Sequence, residues 1–175
     1  LAMSRLHLLQ GISGIGKSSL PRRFAAAVGG LCETVSVQAG WRDRNDLLGY
    51  YNAFERRYYE SSFVQAIYKA QLPKYADLLV IVLLDEMNLS HPEQYAADIL
   101  DVLERRERAT RRFELMSSRQ PGPELKGLVD GRYLPLPDNV WFVGTANHDE
   151  TTKDFADKTY DRSFVLSLPD HPTRA

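Results

Sequence analysis

Gly11-Ile12-Ser13-Gly14-Ile15-Gly16-Lys17-Ser18 fits the pattern G-x-x-x-x-G-K-[ST]. It lies between the apolar run Leu6-His7-Leu8-Leu9 and a helix-patterned stretch from Lys17 to Val28 that Gly29-Gly30 stops. A strand entering a glycine-rich turn that opens a helix is the context in which this pattern cradles phosphate. Glycines let the backbone turn sharply and bring successive N–H groups up to phosphate oxygens, and the start of the helix adds partial positive charge. Lys17 is then placed to reach β- and γ-phosphates, and the Ser18 hydroxyl to coordinate Mg²⁺. Gly11, Ile12, Ser13, Gly14, Ile15, Gly16, Lys17, Ser18 and Ser19 are the expected nucleotide cradle. Pro21 falls in the first turns of the helix, where a missing backbone donor costs little.

The 175 residues are 43% hydrophobic and 26% charged, ordinary for one globular domain, and a single domain over 1–175 is expected. The 22 Lys and Arg nearly cancel the 23 Asp and Glu, a formal charge of -1. No global electrostatic case for nucleic acid follows, so any DNA contact has to be local or lie outside the chain. The longest apolar run, Leu78 to Leu84, falls far short of the roughly 20 residues of a membrane helix, and no secretory signal is present. The lone Cys32 excludes an internal disulfide, which fits a reducing, cytoplasmic setting, and is expected to be a small packing residue.

Apolar segments recur at Leu6–Leu9, Thr34–Val37, Leu78–Leu84, Val140–Gly144 and Phe164–Leu168. Their alternation with helix-like stretches argues for an α/β fold with a parallel sheet between helices. Leu78–Leu84 is continuously apolar and should be central. Ser90-His91-Pro92-Glu93 reads as a capping box opening a helix through about Arg108, with Tyr95, Ile99, Val102 and Leu103 on its inner face. From Phe113 to Asn139 seven Gly and Pro residues exclude a helix, and 112–115 with 132–136 read as the arms of a projecting hairpin. Trp41 to Asn52 reads as a loop packing Trp41 and Tyr50 onto the core.

Asp85-Glu86 ends the central apolar strand. Beside a phosphate loop, an acid at a neighbouring strand tip holds Mg²⁺ and a Glu just after it polarises the attacking water. Asp85, with Ser18, is therefore the expected metal partner and Glu86 the general base. Val140 to Asn147 is a strand that delivers Asn147 to the same edge, where ligands of open α/β sheets gather. Asn147 is expected to bond the attacking water or the γ-phosphate. Asp161-Arg162 precedes the last strand, and in a ring of subunits Arg162 would serve a neighbour's nucleotide as an arginine finger.

These elements in this order resemble the P-loop, Walker B, sensor 1 and arginine-finger set of AAA+ NTPases. Within that superfamily the chain is most similar to the McrB-like group, the motor subunits of modification-dependent DNA restriction systems. The matching stretches are Gly40-Trp41-Arg42-Asp43 with Asp46-Leu47-Leu48-Gly49-Tyr50-Tyr51-Asn52, then Leu84-Asp85-Glu86-Met87-Asn88-Leu89, Asn139 to Asn147 with Asp149-Glu150-Thr151-Thr152, and Asp161-Arg162. The resemblance implies an AAA+ core with a five-stranded parallel sheet and hydrolysis of ATP or GTP with Mg²⁺. It also implies assembly into a ring, a hexamer being the expectation, and a nuclease subunit and DNA as partners. It further implies a helical lid with a second sensor arginine, and effector or DNA-recognition domains, beyond the stretch that ends at Ala175.

Asn147-His148-Asp149-Glu150 lacks the Lys of a small-GTPase guanine signature, so that class is a poor fit. A MoxR-like remodeller of protein complexes shares the Asp-Leu-Leu-Gly and Asp-Arg elements, and a nucleotide-gated switch subunit is the non-enzymatic alternative. Arg105, Arg106, Arg108, Arg111 and Arg112 invite a DNA-contact reading. Glu104 with Arg108 and Glu107 with Arg111 are favourable i, i+4 pairs, so a solvated, ion-paired helix end is the expectation.

Overall fold

The computed structural model of the chain describes residues 6–121, 126–148 and 155–169, Lys158 through its backbone alone. Five all-parallel strands form the central sheet: β1 (Leu6–Gly11), β2 (Leu31–Ser36), β5 (Val80–Asp85), β8 (Val140–Asn147) and β9 (Ser163–Ser167), in the order β2-β5-β8-β1-β9. The five apolar segments of the sequence are these five strands, with ends displaced by up to three residues. β5 is an interior strand between β2 and β8, as its unbroken apolar run requires, and Val80 to Leu84 are all at most 1% exposed.

The two faces of the sheet are covered unequally. One packs on α3 (Ser62–Gln71), α5 (Ala97–Glu104) and a hairpin of β6 (Arg112–Glu114) with β7 (Tyr133–Pro135), and carries most of the core. Phe63, Phe113 and Phe142 meet there at ring-centroid separations of 5.3 to 6.4 Å. All three are fully buried, at about 1.5–3 kcal/mol of transfer free energy each. The other face carries a smaller cluster of Leu9, Ala25, Ile81, Leu83 and Val143 under α1 (Ser19–Ala27), with Cys32 packed against it as expected. The hairpin anticipated between 112 and 136 is present, but it does not project: Phe113 and Leu134 are fully buried in the core.

Three expectations need correction. The stretch after β2 is more than a loop. Asp43 and Asp46 form a reciprocal capping box on α2 (Arg44–Leu48), and β3 (Gly49–Asn52) pairs antiparallel with β4 (Arg57–Glu60). Trp41 does reach the core, edge-on to Tyr95 at 5.1 Å, but Tyr50 is 52% exposed and stacks on Tyr59 instead. Secondly, Ser90 caps no helix, because its hydroxyl donates to the Trp41 carbonyl. Thirdly, the helix expected from Ser90 to Arg108 is two: α4 (Pro92–Tyr95) breaks at Ala96, and α5 ends at Glu104 because Arg105 is extended. Tyr95, Ile99, Val102 and Leu103 do face the core. Between Leu103 and Phe113 the chain has no large apolar residue to bury, and marginal helices persist only where packing supports them. The expected Glu104–Arg108 and Glu107–Arg111 helical pairs are therefore not made. Glu104 bonds Arg162, and Arg108 bonds Asp138. A last short helix, α6 (Asp157–Asp161), leads into β9.

Candidate nucleotide-binding site

β1 ends at Gly11, and the loop beyond it takes Gly14 and Gly16 through the left-handed region, at φ 83° and 94°. No atom lies within 4 Å of where a side chain at either would begin, so the need for glycine is conformational rather than steric. The N–H groups of Ser19 and Leu20 close the first turn of α1 on the Gly16 carbonyl. Lys17 is 6% exposed, and its ammonium spans the loop by donating to the carbonyls of Gly11 at 2.9 Å and Ile12 at 2.6 Å. The lysine is thereby fixed inside the turn rather than free in solvent.

Ser18 occupies the N-cap of α1 but gives no side-chain cap. Its hydroxyl donates instead to Asp85 Oδ1 at 2.6 Å, and Thr145 Oγ1 donates to the same oxygen at 2.7 Å. Thr145 Oγ1 in turn accepts the Glu86 backbone N–H at 2.8 Å. One chain of hydrogen bonds thus ties the phosphate loop to the ends of β5 and β8. Glu86 sits at φ 59°, ψ 47°, a left-handed conformation that costs a non-glycine residue on the order of 1–3 kcal/mol and persists only where neighbours enforce it. The Thr145 bond is one such restraint. Another lies below, where buried Met87 fills the space over Gly144 and its carbonyl accepts from Tyr95 Oη at 2.8 Å. Burial pushes the Tyr95 hydroxyl well above the ordinary tyrosine range, so it stays a donor at any working pH. The outcome of the strained turn is an exposed Glu86 carboxylate at the sheet edge, directly after Asp85.

Strand register brings Asn147 beside Gly11. Its main chain is held at both ends by the 4%-exposed Asn88: Asn88 Nδ2 donates to Asn147 O at 2.8 Å, and Asn147 N–H donates to Asn88 Oδ1 at 3.1 Å. The loop Gly11 to Ser19, Asp85, Glu86 and Asn147 are therefore gathered at the C-terminal ends of the strands. Arg162 is not among them. Ser163 pairs with Leu6, so Arg162 stands at the opposite edge, bonded to Asp101 at 3.1 Å and Glu104 at 2.9 Å. The Asp149-Glu150-Thr151-Thr152 stretch lies outside the described residues.

The donor set suits Mg²⁺. Ser18 Oγ and Asp85 Oδ1 are hard oxygens 2.6 Å apart, and Mg²⁺ takes one or two protein oxygens and completes its shell with substrate phosphates and water. Among the described residues no group of three or more His, Cys, Asp or Glu is arranged to hold a metal by itself. Thr145 and Asn88 are the site residues that sequence reasoning passed over. The available signal was a hydroxyl among apolar residues two places before Asn147, and an amide two places after Glu86.

The chain matches the model of the AAA domain, dynein-related subfamily, over residues 7–163. Among solved structures it is similar to a candidate ATPase from Cytophaga hutchinsonii, with a TM-score of 0.52 at 17% identity over 96% of this chain and 43% of that one. It is also similar to Hsp104 in a closed state with ATPγS and FITC casein, with a TM-score of 0.56 at 17% identity over 94% of this chain and 28% of that one. It thus spans less than half of either protein. No curated protein matches the chain. The AAA domain model covers four of the five core strands and the phosphate loop among them, and the chain belongs to the AAA domain family, in its dynein-related subfamily.

Proposed function

We propose that this chain hydrolyses a nucleoside triphosphate, ATP or GTP, with Mg²⁺. The observation that carries the reading is the bonded sequence Ser18, Asp85, Thr145, Glu86, which joins a phosphate loop to the Asp85 carboxylate and to the main chain of Glu86. Lys17 and the loop N–H groups hold the triphosphate, and Ser18 and Asp85 hold the metal. When bound, Mg²⁺ neutralises charge developing on the β- and γ-phosphates. Glu86 takes a proton from water as that water attacks the γ-phosphorus, and the bond to the β–γ bridging oxygen breaks to leave a nucleoside diphosphate and inorganic phosphate. Asn147, held against the start of the loop, orients the water or bonds the γ-phosphate. The test is turnover of ATP and GTP alongside nucleotide affinity. Glu86→Gln is expected to keep affinity and lose at least about a hundredfold in turnover, and Lys17→Ala to lose binding. Wild-type turnover by Glu86→Gln would remove Glu86 as the base.

The finer reading is an McrB-like motor that works in a ring, couples hydrolysis to DNA translocation or to activation of a nuclease subunit, and uses Arg162 in trans. Support comes from the Asp46–Asn52 and Leu84–Leu89 stretches, and from the distance of Arg162 from its own loop: about 17 Å, for five strand residues at about 3.3 Å each. Stimulation of turnover by DNA, as opposed to an unfolded protein, separates this reading from a MoxR-like remodeller.

A further inference from the structure

Five arginines stand within eight residues where α5 ends, and they are not a helix end. Arg105 is extended, Arg108 to Thr110 form a single 3-10 turn, and Arg112 begins β6. Main-chain carbonyls build the stretch into a knot. Arg105 Nη1 donates to Thr110 O at 2.7 Å and Arg112 O at 3.2 Å, and Arg111 Nε donates to Arg105 O at 2.8 Å. Those bonds orient the guanidinium groups without neutralising them. The Arg112 guanidinium carbon lies over the Tyr133 ring, 4.1 Å from its centroid. Among the described residues Arg108 alone of the five makes an ion pair, with Asp138 at 2.6 Å, and its side chain is still 78% exposed. Glu104, the acid nearest in sequence, is taken by Arg162. Glu107 and Asp138 are left to balance five cations, a local excess of about three charges on a chain that is nearly neutral overall.

Arg108, Arg111 and Arg112 line an open groove together with Gln71, Pro137 and Asn139. It runs under the N-terminal ends of β5 and β8, the sheet edge opposite the phosphate loop. Among the described residues of this groove Val129 is the one large apolar side chain more than a third exposed, at 39%, whereas the Arg108 side chain reaches well into solvent. Arginine forks match phosphate oxygens in shape and charge, and among the described residues those of Arg111 and Arg112 have no carboxylate partner while Arg108 shares Asp138. We propose that this arginine knot and its groove bind the phosphodiester backbone of nucleic acid, without reading bases. The site deepens the DNA reading of the proposed function but does not depend on bound nucleotide.

Arg106 and Arg108 are the pair to change, because neither holds the knot together. Fluorescence anisotropy with a 20-nucleotide single strand and a 20-base-pair duplex, from 25 to 200 mM salt, gives the slope of log affinity against log salt. Removing two phosphate contacts in Arg106→Gln/Arg108→Gln should make that slope shallower by about 1.4 on the single strand and about 1.8 on the duplex, and weaken binding more than tenfold at 50 mM salt. Arg106→Lys/Arg108→Lys should recover most of the slope. Absence of nucleic-acid binding by the wild type at 25 mM salt, an unchanged slope in the Gln pair, or tighter binding of polyglutamate than of either DNA would each overturn the proposal. Nucleotide turnover in the same variants keeps the two readings apart: DNA stimulation that survives an unchanged slope leaves the motor reading intact and removes this surface from it.

Discussion

Thr145→Val replaces a hydroxyl by a methyl at a position 1% exposed, with almost no change of shape. Two bonds are lost. The one to Asp85 Oδ1 at 2.7 Å ends on a charged group and is worth about 1.5–3 kcal/mol. The one from Glu86 N–H at 2.8 Å leaves a part-buried donor unmatched, at about 1 kcal/mol or more. The added methyl returns about 0.8 kcal/mol of burial, so the net expected loss is about 2–3 kcal/mol. For a domain of this size that is a fall in Tm of about 4–12 °C. The functional effect should be larger than the loss of stability. Without the bond that enforces φ 59° at Glu86, its carboxylate samples other directions, and turnover at saturating nucleotide should fall by tenfold or more at a temperature where the variant is fully folded. Thr145→Ser keeps the hydroxyl and should keep both the turnover and most of the Tm. Calorimetry together with a phosphate-release assay on the three proteins decides the matter. A Val variant with wild-type Tm and turnover, or a Ser variant as damaged as the Val one, would refute the reasoning.

Gly144→Ala should cost about 1–3 kcal/mol by overpacking, since the added Cβ collides with Met87 Sδ and stands 3.2 Å from Leu8 Cδ1; an unchanged urea midpoint would contradict it. Burial raises the Tyr95 and Tyr58 hydroxyls above the ordinary range, so the folded chain keeps both protons while the unfolded chain loses them. Stability should be level below about pH 10 and decline above it by up to about 1.4 kcal/mol per pH unit for each tyrosine, and a urea midpoint flat from pH 8 to 11 would exclude this. Arg162→Ala subunits should regain turnover when mixed with Lys17→Ala subunits, which supply the arginine but bind no nucleotide; failure of rescue at every ratio would argue against a role in trans.

The sequence was most informative where one physical demand dominated. Phosphate cradling needs the glycines and Lys17 together, and burial on both faces needs the unbroken Val80–Leu84 run, so the loop, that interior strand and Asp85 were all legible. Length alone could not set the ends of the other strands, because register is fixed by partners more than 40 residues away. The β3–β4 hairpin escaped notice because Tyr58 is the one residue of β4 that is buried, which leaves no alternation to detect. The break at Ala96 and the end at Glu104 were hidden because arginine is a good helix former, and its propensity masked the absence of anything for the helix to bury after Leu103. Thr145 and Asn88 act through bonds that cross between strand ends, and no local pattern encodes those.

The position of β1 in the sheet bears on how the chain folds. The strand that carries the phosphate loop is the first in sequence, yet its two neighbours are β8 and β9, more than 130 residues later. While the chain is being made, β2 can find β5 and bury much of its surface, but β1 has no strand to pair with until the segment from Val140 onward has emerged. Contacts of such long sequence separation form late and slowly. The apolar segment Leu6–Leu9 therefore lacks its partners in this sheet until more than 130 further residues have been made. A nascent chain stopped before β8 would carry every residue of the loop and have no sheet to mount it on.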